Sequence, residues 1–181
     1  NDGYNGALEA TFRHRFAKKG RTYSIGINLG GSTNDGSGTN RSINQYYTQN
    51  RVDTINQINN SNSDGKNFST TLAYTEPIAK NQLLEFNYTY SYSDNTNGKS
   101  TYGYNKNTGN FDLVVPNLSN TFQNTYSSNR GTLSYRIQTQ KLNLSVGSGV
   151  QFGDLKSNNL TKDSAINQHY VNMYPTANLR W

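Results

Sequence analysis

Residues 83–93, LLEFNYTYSYS, decide the fold class, because from Leu84 onward apolar or aromatic residues alternate strictly with polar ones. Successive side chains of a β-strand point to opposite faces. One face of this strand would therefore carry Leu84, Phe86, Tyr88, Tyr90 and Tyr92. This run of 10 alternating residues, 84–93, is longer than the usual strand of about five or six residues. It matches a tilted strand that crosses a bilayer, which needs about 9 to 11 residues.

The composition favours a membrane barrel over a soluble domain. Only 31% of the 181 residues are hydrophobic and the mean hydropathy is -0.90. The chain therefore has too few apolar residues to form a dense core. The chain is also 12% aromatic, with 14 tyrosines, and only 15% charged, unlike the commonest disordered chains. A barrel gives half of each strand to lipid and keeps a polar interior. We therefore expect an all-β, antiparallel up-and-down transmembrane β-barrel segment.

Several other classes are excluded or disfavoured by the sequence. No run of about 18 apolar residues occurs, so a transmembrane helix is excluded. The start, NDGYNGALEA, is not a signal peptide, so we expect an exported protein after cleavage or a piece of a longer chain. With no cysteine, disulfides and cysteine metal sites are excluded. The net charge of +6 comes from scattered basic residues apart from Lys18, Lys19 and Arg21, and nucleic-acid binding is not expected.

Alternating runs and polar segments divide the chain. Three hairpins are predicted at residues 6–33, 67–95 and 131–153, followed by a final strand at residues 170–181. Segments rich in Asn, Ser, Thr and Gly predict long polar loops at residues 34–66, 94–126 and 153–169. His169 falls in the last of these loops, just before the final strand.

The connections alternate between short and long along the whole chain. In outer-membrane barrels the short turns face the periplasm and the long loops face the outside. Tyr90 and Tyr92 would then lie at the outer membrane interface, and Phe16, Tyr23 and Trp181 at the inner one. About seven strands are predicted, and bacterial barrels have even numbers from about 8 upward. We therefore expect residues 1–181 to form a partial β-barrel that cannot close alone.

The strand patterns assign side chains to two faces. The predicted lipid-facing residues are Phe12, Ile25, Ile27, Phe86, Tyr88, Leu144 and Val146. The predicted lumen-facing residues are Glu9, Arg13, Arg15, Glu85, Arg136 and Arg180, because a charge facing lipid near mid-bilayer costs about 2 to 4 kcal/mol.

Aromatic residues in the polar loops are candidates for ligand contact. They are Tyr46, Tyr47, Tyr102, Tyr104 and Phe111. Flat amphipathic rings beside amide groups suit sugars and peptides at adaptable surfaces. Ordinary solvated loops would contain such residues too, so both interpretations remain open.

The sequence predicts no catalytic residue, metal site or cofactor. His14 lies on the apolar face near a strand end, where an interfacial aromatic is the ordinary explanation, and no His/Asp/Glu spacing of a known site occurs. The Gly147-Ser148-Gly149 stretch lies inside a strand and lacks the following helix of a phosphate-binding loop. Small residues that let a neighbouring chain approach closely explain it better.

Three stretches together resemble a known family. They are the hairpin RHRFAKKGRTYSIGINL, the hairpin LAYTEPIAKNQLLEFNYTYSYS, and the strand YVNMYPTANLRW that follows LSVGSGVQF. They resemble the C-terminal barrel of TonB-dependent outer-membrane receptors of the Bacteroidetes, in the outer membrane protein beta-barrel family. The resemblance implies a barrel of about 22 strands around a plug, the latter formed by an N-terminal segment of the same chain.

The resemblance also implies the function and the partners. The chain would form part of a receptor in the cell outer membrane that binds a nutrient ligand, such as a glycan, peptide or siderophore, and imports it with energy from the TonB complex. The lumen-facing charges would dock the plug or steer anionic cargo. The alternative is a soluble or surface-attached β-rich binding module, an adhesin or glycan binder, whose sheets pair face to face. An outer-membrane barrel enzyme is the weakest hypothesis, because no catalytic constellation is visible.

Overall fold

The computed structural model describes residues 2–181, which form one antiparallel sheet. Its strands are β1 (Asp2–Arg15), β2 (Thr22–Tyr46), β3 (Arg51–Ala79), β4 (Gln82–Asn105), β5 (Asn110–Val114), β6 (Asn120–Gln138), β7 (Asn143–Asn159), β8 (Ser164–Met173) and β9 (Thr176–Arg180). Two short 3-10 turns, Tyr47–Gln49 and Pro116–Leu118, interrupt the connections. Within residues 2–181 no helix is long and apolar enough to cross a membrane.

The nine strands make seven positions across the sheet, in the order β1-β2-β3-β4-β6-β7-β8. The short β5 pairs with β4 beyond the start of β6, and β9 pairs with β7 below β8. β8 and β9 occupy the same position in the sheet and are interrupted at Pro175, which has no N–H to donate to the ladder. The prediction of about seven strands is confirmed when strands at the same position across the sheet are counted once. The sheet is open, with β1 at one edge and β8 and β9 at the other.

The two ends of the sheet differ in their connections. At the turn end, the strands are joined by the short segments 16–21, 80–81 and 139–142. Asn81 there has a left-handed φ of 62° and Gly20 a φ of 89°, conformations that Asn and Gly tolerate best. At the opposite, ribbon end, β2 with β3, β4 with β6, and β7 with β8 run on as long paired strands.

These paired extensions correct the expectation of irregular loops. Most of residues 34–66, 94–126 and 153–169 is strand, and His169 lies within β8 rather than in a loop. Polar cross-strand contacts hold the extensions together, for example from Ser63 Oγ to Asn97 Oδ1 at 2.8 Å and from Ser157 Oγ to Asn124 Oδ1 at 2.6 Å. The backbone ladder needs no apolar alternation where both faces are polar, which is why the sequence pattern missed these strands.

The sheet is a single layer. Among residues 2–181 no apolar side chain is buried, whereas large apolar side chains such as Leu8 and Phe12 are 62% and 56% exposed. A face-to-face sandwich, which the alternative of a soluble module requires, is not formed by the described residues. The apolar face is therefore left open to its surroundings.

Candidate functional site

The strand register places all seven predicted lipid-facing residues on one side of the sheet, which we call the apolar face. Phe12 stands opposite Ile25 on β2, and Ile25 stands opposite Leu72 on β3. Leu72 in turn stands opposite Tyr88 on β4. On the same face, Phe86 stands opposite Leu133 on β6, and Tyr135 on β6 stands opposite Val146 on β7. This face is continuous from one edge of the sheet to the other.

Aromatic rings gather at two levels of the apolar face. Near the turn end, the His14 ring lies 4.9 Å from the Phe16 ring and 5.3 Å from the Tyr23 ring, between centroids. Toward the ribbon end, the Phe68 ring lies 6.1 Å from the Tyr90 ring. Two such levels are the arrangement expected of amphipathic rings at the two interfaces of a bilayer. His14 thus belongs to an aromatic cluster.

The opposite side, the polar face, carries all six predicted lumen-facing residues. Arg13, Arg15, Glu85 and Arg136 line one depression of about 760 Å³. The Arg136 guanidinium lies 3.1 Å from a Glu85 carboxylate oxygen. The structure therefore gathers four of the six residues into one basic depression with a single carboxylate.

The other two predicted residues lie apart from this group. Arg180 lines a neighbouring depression of about 440 Å³, which Arg136 joins to the first one. Glu9 stands opposite Asn28, away from the arginines. The polar face near the turn end is consequently a basic strip that crosses most of the sheet.

A second group on the polar face was missed by the sequence analysis. Gln151 Nε2 donates a hydrogen bond to Tyr126 Oη at 2.9 Å, and Tyr174 Oη donates one to Gln151 Oε1 at 2.6 Å. The Tyr170 hydroxyl donates to that of Tyr126, and their rings stack with centroids 6.3 Å apart. The Arg130 guanidinium carbon lies 4.4 Å from the centre of the Tyr174 ring. We call these five residues the tyrosine cluster.

A glycine makes room for the tyrosine cluster. A Cβ at Gly153 would lie 2.2 Å from Cζ of Tyr170, so the Tyr170 ring lies directly over this position. Arg130, Gln151 and Tyr126 also line a depression of about 450 Å³, whose other lining residues are uncharged and polar. The alternation that placed Arg136 on the polar face, continued along β6, would have placed Arg130 and Tyr126 there too. Their meeting with Gln151 and Tyr170 depends on the register of β6, β7 and β8.

The predicted ligand-contact aromatics fall into two separate groups at the ribbon end. The Tyr104 and Phe111 rings meet at 5.4 Å, and Tyr102 stands opposite Val114 on the same short hairpin. Tyr46 contacts Arg51 at the tip of the β2–β3 hairpin, where Tyr47 is 84% exposed. Pairing of β3 with β4 ends at Gln57, so about 20 Å of strand separates the two groups. These aromatics therefore offer two surfaces instead of one pocket.

The connection from β4 to β6 closes over a fully buried residue. Thr101 is 0% exposed, and its Oγ1 donates to Asn59 Oδ1 at 2.8 Å and to the Leu118 carbonyl at 3.1 Å. Its N–H donates to Ser119 Oγ at 2.9 Å. This hydrogen-bonded closure fixes the base of the hairpin that carries Tyr104, so the first aromatic surface is held by a rigid support.

An ion-pair cluster joins the first turn to β3 at the turn end. Glu76 accepts hydrogen bonds from Arg21 Nε at 2.6 Å, from Lys18 Nζ at 2.6 Å and from Tyr74 Oη at 2.7 Å. Because these donors, Arg21 foremost, favour the charged carboxylate, they hold the pKa of Glu76 well below its usual range.

Residues 2–181 contain no group of three or more His, Asp or Glu side chains that could hold a metal ion. His169 pairs through Nδ1 with Asp154 on an exposed part of β7 and β8, and no nucleophile joins them.

Solved structures show the same architecture. The chain is similar to the ferric citrate transporter FecA in its unliganded form (TM-score 0.64, 10% identity, covering 98% of this chain and 25% of that one). It is also similar to FpvA of P. aeruginosa bound to a pyoverdine-iron complex (0.57, 14%, 96% and 24%) and to BauA, the ferric preacinetobactin receptor of Acinetobacter baumannii (0.56, 12%, 98% and 28%). At these identities the likeness concerns the fold alone.

The chain is much shorter than each of these receptors. It spans about a quarter of each of these three receptors. No curated protein sequence matches it significantly. A family model, in contrast, matches residues 14–181, nearly the whole chain. With its open single-layer sheet, apolar face and polar face, the chain belongs to the outer membrane protein beta-barrel family.

Proposed function

We propose that the chain forms part of the wall of a TonB-dependent receptor, which binds a nutrient outside the cell and imports it across the outer membrane. The observation that carries the proposal is the pairing of a continuous apolar face with a basic and tyrosine-bearing polar face on one sheet. Such a wall separates lipid from a polar lumen. The likeness to FecA, FpvA and BauA supports this architecture.

The proposed orientation follows from the connections. Short turns face the periplasm and long connections face outward in barrels of this type, so the turn end would be periplasmic and the ribbon end extracellular. The aromatic level at His14 and Tyr23 would then mark the inner interface, and that at Phe68 and Tyr90 the outer one. The paired ribbons would stand above the membrane and hold Tyr104 and Phe111 outside the cell.

The polar face would be occupied in part by an N-terminal plug of the same chain. The arginines of the basic strip, Arg13, Arg15 and Arg136, can bind carboxylates of such a plug or of anionic cargo. Above it, the tyrosine cluster presents hydroxyl, amide and guanidinium groups on ring surfaces, which suit a hydroxylated or peptide-like ligand. The role proposed for the chain is binding and passage, with no bond made or broken.

The experiment that tests the proposal has two parts. An antibody against this segment should detect, in the source bacterium, a protein much larger than 20.3 kDa that leaves the outer membrane only with detergent. Growth on single nutrients should then fail for at least one nutrient in a strain lacking the protein, and equally in a strain lacking TonB. A soluble band near 20.3 kDa would refute the proposal and favour the binding module.

A further inference from the structure

The formal charge is unequally divided between the ends of the sheet. The ribbon end is nearly balanced, with eight aspartates (Asp2, Asp35, Asp53, Asp64, Asp94, Asp112, Asp154 and Asp163) and seven cations (Arg41, Arg51, Lys66, Lys99, Lys106, Lys156 and Lys162). The turn end is basic, with five cations (Lys18, Lys19, Arg21, Lys80 and Lys141) and one carboxylate, Glu76. Each of the three short turns carries at least one lysine.

Contacts between a turn and the end of a neighbouring strand link the three turns into one row. Arg21 and Lys18 reach from the first turn to Glu76 on β3. The position of a Cβ at Gly20 lies 3.6 Å from Cβ of Pro77. The second and third turns are joined by a hydrogen bond of 2.8 Å from the Gln138 N–H to the Asn81 carbonyl.

Three lysines of this row are free of carboxylate partners. Lys19, Lys80 and Lys141 are exposed, one on each turn, and none makes an ion pair within the part of the chain that the structure describes. Neighbouring turns lie two strands apart, or about 10 Å. At moderate salt this is about one Debye length, so the three charges act on a surface together.

The neighbours of the row place it at the level of lipid headgroups. The aromatic group of His14, Phe16 and Tyr23 lies directly inside the first turn, where amphipathic rings settle at the membrane interface. Ile78, 53% exposed, lies two residues before Lys80. Cations just outside an aromatic level and an apolar face meet the phosphates of a bilayer.

We propose that this lysine row, Lys19, Lys80 and Lys141, is a binding surface for the headgroups of anionic phospholipids in the periplasmic leaflet. The inference rests on the proposed orientation of the sheet. Anionic lipids attract clustered lysines near a membrane surface, and each compact ammonium group can meet a phosphate oxygen. The row selects lipid over an acidic protein because its charges border an aromatic and apolar surface of membrane type.

The test uses the complete receptor in nanodiscs of phosphatidylcholine with a minority of phosphatidylglycerol. Native mass spectrometry counts the lipids retained by the wild type, by the variant K19Q/K80Q/K141Q and by the matched control K66Q/K99Q/K106Q, whose lysines lie at the ribbon end. We expect the wild type and the control to retain phosphatidylglycerol in preference to phosphatidylcholine. The turn variant should lose that preference several-fold, and raised salt should weaken it in the wild type.

Other outcomes overturn the inference. Equal retention of the two lipids by the wild type would do so, as would unchanged preference in the turn variant. Loss of a co-purifying acidic protein from the turn variant, with lipid retention unchanged, would make the row a protein site. A receptor that supports nutrient uptake but fails the lipid test would overturn this inference and leave the proposed function intact. If the native protein were not found in the outer membrane, both the inference and the proposed function would be refuted.

Discussion

Two regions of the sheet have the same backbone ladder but different side-chain patterns. One is the band next to the turns, which carries the predicted lipid-facing residues, and the other is formed by the paired extensions at the ribbon end, which we call the ribbons. In the band, Ile25, Leu72 and Tyr88 follow one another across three strands on a single face. In the ribbons, cross-strand pairs such as Ser63 with Asn97 are polar. The pairing of β2 with β3 runs unbroken from Thr22 to Tyr46, so under the proposed function the change of side-chain pattern marks the passage from lipid to water.

The largest expected effect comes from placing the same charge in both regions. Ile27 is in the band and Ile43 in the ribbon, both on β2 and both on the apolar side by register. We expect I27R to destabilise the assembled receptor by about 2 to 4 kcal/mol, because the guanidinium would face lipid. I43R should change stability by less than about 0.5 kcal/mol, since Ile43 would lie outside the membrane in the proposed orientation.

Heat-dependent gel mobility and urea unfolding of the two receptors measure the difference. If I27R and I43R had equal effects, the distinction between band and ribbon would be lost. An effect of I43R alone would reverse it.

A smaller effect is expected where the ladder itself is tight. At Gly153 a Cβ would collide with the Tyr170 ring, whereas at Gly38 nothing lies within 4 Å. We expect G153A to cost about 1 to 3 kcal/mol and G38A to be neutral or stabilising by up to about 1 kcal/mol. The urea midpoint gives both values, and a neutral G153A would show that Tyr170 does not need its place over Gly153.

Reversal of charge on the polar face tests the lumen at a stability cost near zero. R13E/R15E would remove two cations from the depression that Arg136 shares. We expect the barrel to assemble but to admit large antibiotics several-fold more readily, because the plug would be held less firmly. A plug that stays seated, with permeability unchanged, would contradict the docking role of the basic strip.

The smallest effect concerns pH at the turn end. The pKa of Glu76 is lowered in the folded chain, so its contribution is present above the unfolded value of about 4.3 and is lost as pH falls through the folded pKa. The urea midpoint of the wild type should therefore drop more between pH 7 and strongly acidic pH than that of E76Q. E9Q, which changes a carboxylate with no ion pair among residues 2–181, is the control and should follow the wild type.

The sequence predicted the strands next to the turns because apolar and polar side chains alternate along them. Alternation at residues 84–93 placed Phe86 and Tyr88 on one face of the sheet, and the same rule placed Arg136 on the other face. In the ribbons, neither face must be apolar, so residues 34–46 gave no period to detect although they are strand. The tyrosine cluster was missed for a related reason, since Tyr126 and Tyr170 lie at the borders of predicted loops and meet only through register.

Site-directed spin labelling along β4 tests the central claim most directly. The chain brings no cysteine of its own, so single cysteines can be introduced at residues 84–93 and 95–104 of the complete receptor in lipid. We expect oxygen accessibility at Leu84, Phe86, Tyr88 and Tyr90, alternating with accessibility to a water-soluble nickel reagent at Glu85, Asn87, Thr89 and Ser91. The positions beyond residue 95 should favour the nickel reagent throughout. Equal accessibility to water at every position from 84 to 93 would show that this face does not meet lipid and would contradict the account.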